Sequence, residues 1–157
     1  MTTFQIFGLQ FLLSLIAYSL IAGWYVAPRL ATLPLGAALT PLLFLHAFRD
    51  VGLVFLVPTV VGPALPAAFA VPAAYGDLLT AVLALLAILG LRGEWRPARM
   101  LVWTFSVVGT VDLLNALYRG ARLGVELGAA YYIPTFAVPA LLVTHAMIFV
   151  RLVKRAG

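Results

Sequence analysis

Five runs of roughly 20 apolar residues constrain this chain more than anything else in it, because about 20 residues of helix cross a hydrocarbon core of about 30 Å. The runs cover about 4–26, 37–60, 67–91, 97–118 and 130–150. Helix breakers separate them. Pro28 and Pro34 bracket the first connection, and Gly62, Pro63 and Pro66 mark the second. The segment Arg92, Gly93, Glu94, Trp95, Arg96 and Pro97 makes the third, with Pro97 suited to the first turn of a helix, and Gly120 to Gly128 makes the fourth. All four connections are short, so consecutive helices are expected to pack as antiparallel neighbours. The pattern predicts an all-α, polytopic membrane helix bundle of about five transmembrane helices, in a single transmembrane domain over 1–157.

Composition points the same way. Hydrophobic residues make up 64% of the chain and charged residues 10%, against about 25% charged for an ordinary globular domain. A water-soluble fold of this size has to cover its outside with more polar atoms than that. There is no cysteine, which excludes disulfides, thiol chemistry and Cys-ligated metal centres. The net charge of +5 is not a nucleic-acid footprint, since the basic residues sit mostly at the ends of the apolar runs. No P-loop, GxGxxG, GxSxG or HExxH is present, which leans against an enzyme.

The basic residues set an expected orientation. Arg29, Arg92, Arg96, Arg99, Arg151, Lys154 and Arg155 fall on one side, and only Arg119 and Arg122 on the other. By the positive-inside bias the N-terminus is expected outside and the C-terminus in the cytoplasm, in a bacterial inner membrane. The first run lacks a basic leader and is longer than a signal peptide's apolar core, so it is read as a retained helix.

Ionisable residues inside the runs are the candidates for function. Each Asp or Arg near a helix centre costs about 2.5–3.5 kcal/mol when it faces lipid, so such residues are expected to face one another, a cavity or a partner. His46, Arg49 and Asp50 are spaced i, i+3, i+4 and are expected on one face of the second helix. Asp77 lies on a stripe of small residues (Ala73, Ala74, Thr80, Ala81, Ala84) that permits close helix approach. Asp112 shares a face of the fourth helix with Gly109, Asn115, Ala116 and Arg119. The expected polar cluster near the membrane midplane is therefore His46, Arg49, Asp50, Asp77, Asp112 and Asn115. One Arg against three Asp leaves two negative charges if all are ionised. Protons, His46, Arg119 or a bound cation must supply the balance.

Four functions fit these residues. The first is binding or transport of protons, a cation or a small polar solute through the cluster, by a homo-oligomer or with a partner membrane subunit. The second is an accessory subunit whose buried ion pairs only specify packing. The third is a redox protein with haem b held between His46 and His145, the minimum bis-His arrangement. The fourth is an intramembrane acid–base or metal enzyme, in which His46 and Asp50 ligate a divalent metal from one helical face and Asp77, Asp112 or His145 complete the shell.

Overall fold

The computed structural model describes residues 1–154, so Arg155 of the expected basic cluster lies outside the described residues. Five helices are long and apolar enough to cross a membrane: α1 (Thr3–Ala31), α2 (Leu35–Leu56), α3 (Ala67–Arg92), α4 (Ala98–Leu123) and α5 (Gly128–Lys154). Among the described residues there is no strand. Number and class match the apolar runs, whereas several boundaries do not, and each difference traces to proline or glycine.

α1 continues past residue 26 and carries Pro28 inside it. Its backbone opens into a π-turn over Ala22–Val26, where the N–H of Ala27 donates to the carbonyl of Ala22, five residues back. Proline removes an N–H and its ring collides with the carbonyl four residues earlier. A wider turn placed one residue ahead relieves that collision and keeps the preceding donor bonded. α5 repeats the device. A π-turn over Ile133–Ala137 ends with the N–H of Val138 bonded to the carbonyl of Ile133, immediately before Pro139.

α2 stops at Leu56, short of the expected 60. Val57 adopts an extended conformation, φ −105° and ψ 97°, as the residue before a proline is driven to do, and Pro58 opens a separate short turn, Pro58–Val61. α4 runs beyond 118 to Leu123, where Gly124 takes the left-handed conformation at φ 57° and its N–H bonds the carbonyl of Gly120, a glycine C-cap.

The chain divides into two compact units, one formed by Met1–Leu42 and the segment from Tyr132 onward, the other by Leu43–Tyr131. In the first, α1 packs along α5, and the Tyr18 and Phe136 rings meet edge to face at 5.5 Å. No residue of Thr3–Ile21 is buried. An apolar helix so exposed suits a lipid surround, where apolar side chains need no cover. At the end of α1, Nη2 of Arg151 donates to the carbonyls of Leu30 at 2.8 Å and Leu33 at 3.0 Å. These lie at the C-terminal end of the helix, where a cation is favoured.

In the second unit α3 and α4 lie side by side, and the C-terminal half of α2 packs against α3. Phe55 and Phe69 meet edge to face at 5.5 Å. The turn Pro58–Val61 lies against Gly128–Tyr131. Gly128 has φ 51°, and a side chain there would run into the carbonyl of Val60, so glycine is required on both counts.

Replacing Arg151 by Gln is expected to lower stability by about 1–3 kcal/mol, the range for hydrogen bonds made by a charged donor. Denaturant titration of the purified protein in detergent reads it, and an unchanged midpoint would mean the two carbonyls are as well served by water.

Candidate functional site

The site starts from a change of helix type in α2. Its first part, Leu35–Ala47, is α-helical, and Phe48–Leu56 is a 3₁₀ helix. With three residues per turn, every third side chain falls on one line. His46, Arg49, Gly52 and Phe55, each three apart, are all buried. An α-helix would have kept Asp50 near that line. The tighter helix turns it away, and Asp50 is exposed beside exposed Phe48 and Val51. The expected shared face of His46, Arg49 and Asp50 is thus corrected: Asp50 leaves it, and makes no ion pair among the described residues.

Arg49 is 2% exposed and joins three elements. Its Nε donates to Oδ1 of Asp77 on α3 at 2.7 Å, its Nη2 to Oδ2 of Asp112 on α4 at 2.6 Å, and its Nη1 to the carbonyl of Gly109 on α4 at 3.1 Å. The guanidinium edge made by Nε and Nη2 often takes both oxygens of one carboxylate. Here it takes one oxygen from each of two carboxylates, and so holds two like charges next to each other. The Asp77 and Asp112 side chains are 13% and 12% exposed, so little solvent screens them. Lysine, a point charge without the planar fork, does not satisfy this pattern.

Close approach depends on two glycines. The outer oxygen of Asp77, Oδ2, sits against Gly52 of α2, and the outer oxygen of Asp112, Oδ1, sits against Gly76 of α3. A Cβ at either glycine would overlap the carboxylate. The small-residue face of α3 works with them: Ala73, Ala74, Thr80, Ala81 and Ala84 are all buried, as the stripe in the sequence implies. The part played by Gly52 and Gly76 is not evident from the spacing of the charges. The available signal is that Gly52 stands three residues after Arg49 and Gly76 directly before Asp77.

The remaining sequence candidates lie around this cluster or away from it. Asn115 is half-buried, and its Oδ1 accepts from Nε of Arg119 at 3.0 Å, while Nη1 of Arg119 reaches the carbonyl of Ala68 at 3.2 Å. Arg119 is thereby occupied at the end of α4 and does not balance the cluster's charge. His46 is fully buried, its ring edge-on to Phe105 at 5.0 Å. His145 is buried in the first unit, whereas His46 belongs to the second. Among the described residues no three or more of His, Asp and Glu gather in a group that could hold a metal ion. With Asp50 turned away, the two-ligand face expected at His46 and Asp50 does not form either.

Two carboxylates on one guanidinium leave the cluster with one excess negative charge when both are ionised. This arrangement ties three helical elements together and presents one charge for a small positive species to neutralise.

The chain belongs to the family described as a domain of unknown function (DUF8737), whose model matches residues 6–153. No curated protein and no solved structure matches the chain.

Removing one partner from a buried ion pair costs about 3–5 kcal/mol, so Arg49→Gln, which leaves both carboxylates without their cation, is expected to destabilise the second unit by about that order. Gly76→Ala is expected to cost about 1–3 kcal/mol by overpacking against Asp112. Gly8→Ala in α1, where nothing lies near the added carbon, serves as the neutral control. Denaturant midpoints in detergent compare the three, and a Gly76→Ala protein as stable as the control would contradict the close approach described.

Proposed function

We propose that this is a small multi-pass membrane protein that binds or transports a small positive species, a proton or a cation, at the Arg49, Asp77 and Asp112 cluster. The observation that carries this is the charge count: two buried carboxylates share a single guanidinium. In a low-dielectric surround an uncompensated charge is costly, so the stable form of the cluster includes one more positive charge than the side chains supply. Taking up and releasing that charge is a function in itself, and coupling it to helix movement would make it transport.

The basic residues support an orientation with the N-terminus outside and the C-terminus in the cytoplasm of a bacterial inner membrane. Arg29, Arg92, Arg96, Arg99, Arg151 and Lys154 all lie at the helix ends that this orientation assigns to the cytoplasm. Five helices are few to enclose a pathway, which supports a homo-oligomer or a partner subunit. The exposed Asp50, an anion on an otherwise apolar surface, supports the same.

A second reading is favoured by how completely Arg49 is engaged. Nε, Nη1 and Nη2 each reach a different acceptor, as in a cluster whose role is to specify packing in an accessory subunit. This role predicts that exchanging Arg49, Asp77 and Asp112 together for neutral residues of similar size is tolerated better than removing Arg49 alone.

Proteoliposomes carrying a pH or alkali-cation gradient test the first reading. Flux is expected to fall roughly ten-fold or more, equivalent to about 1.4 kcal/mol, in both Asp77→Asn and Asp112→Asn. Undiminished flux in two variants that fold would rule the cluster out as the conduit.

A further inference from the structure

We propose that the species the cluster takes up is a proton, and that the site is closed to metal cations. This rests on the reading that the cluster acquires one positive charge, and it specifies which.

The argument turns on the two carboxylate oxygens that Arg49 leaves unbonded. A hard cation needs several oxygen ligands around it, six to eight at about 2.3–2.6 Å for calcium, and therefore needs volume. Oδ2 of Asp77 and Oδ1 of Asp112 each face a glycine so closely that even one carbon atom there would overlap them. The inner oxygens are held by Nε and Nη2 of Arg49. Nearby carbonyl ligands are also committed: Gly109 accepts from Arg49 and Gly76 from the Thr80 hydroxyl at 2.9 Å. Among the described residues no three or more acidic or His side chains form a group suited to a metal.

A metal ion would also enter beside a guanidinium, placing two positive charges in contact in a poorly screened site. A proton avoids both problems. It adds no heavy atom, and it removes a negative charge instead of adding a separate positive one. The step is simple: a hydronium ion gives its proton to one outer carboxylate oxygen, an O–H bond forms, and a water molecule leaves. Both inner oxygens stay bonded to Arg49, so the cluster passes from one net negative charge to neutral without the guanidinium moving.

The charged and titratable groups around the carboxylates within this unit are few. From α2 comes Arg49, with His46 one turn earlier against Phe105 and Asp50 on another face. α3 contributes Asp77 and α4 contributes Asp112, with Arg119 farther along α4 and bonded to Asn115 and Ala68.

Infrared spectroscopy of the protein in lipid tests this, using the wild type and one variant at the exposed Asp50. The expected result at neutral pH is a carbonyl stretch of a protonated carboxylic acid that shifts when aspartate is labelled with ¹³C at its carboxyl. It persists in Asp50→Asn, which removes the only other Asp in the chain, and is unmoved by exchanging sodium, potassium or calcium at constant ionic strength. If every labelled carboxyl is ionised and one of these cations raises the thermal midpoint saturably, the proton is overturned while uptake of a positive charge stands. If neither a protonated carboxyl nor a cation response is found, both proposals fail together.

Discussion

The guanidinium of Arg49 is the point on which the second unit depends. It lies 2% exposed, where an unpaired charge would cost several kcal/mol, so its acceptors have to come from the protein. They come from two helices at once, through Asp77 on α3 and through Asp112 and Gly109 on α4. One side chain of α2 therefore sets the approach of α2, α3 and α4 to each other. The requirement passes down to small residues. Carboxylates at 2.6–2.7 Å from the guanidinium bring the helix backbones so near that Gly52 and Gly76 have no room for a methyl group.

Backbone geometry decides which charges enter the cluster. A 3₁₀ helix lines up every third residue, so His46, Arg49, Gly52 and Phe55 face inward together and Asp50 does not. The cluster is left with two carboxylates for one guanidinium. That imbalance is what the proposed uptake of a positive charge rests on. An equal count would make a neutral lock, whereas two carboxylates on one guanidinium carry one excess negative charge when both are ionised.

The first unit is governed by a different constraint, the need to keep backbone donors and acceptors bonded where proline interrupts a helix. Pro28 and Pro139 each threaten a helix interior, and each is preceded by a π-turn that accommodates the ring. Arg151 donates to two carbonyls where α1 ends, those of Leu30 and Leu33.

Five apolar helices were legible in the chain because the length of an apolar run and the thickness of a bilayer are both simple one-dimensional quantities. The small-residue face of α3 was legible too, since a regular α-helix projects its residues in a known order. A cluster of His46, Arg49, Asp50, Asp77, Asp112 and Asn115 could be expected, because charges in apolar runs are costly alone, and Arg49, Asp77 and Asp112 are the ones joined in ion pairs. What the chain alone did not show depends on departures from that regular order. The π-turns moved helix ends past Pro28, and the 3₁₀ segment turned Asp50 outward. Residue counting assumes 3.6 residues per turn and misplaces faces wherever that number changes. Gly52 and Gly76 stayed hidden for a related reason: their role lies in what another helix places against them, and only the tertiary structure brings those surfaces together. The sequence by itself determined how many long apolar helices there are and which charges lie within them; only the tertiary structure decided which of those charges meet, because that depends on how the faces of separate helices are brought together.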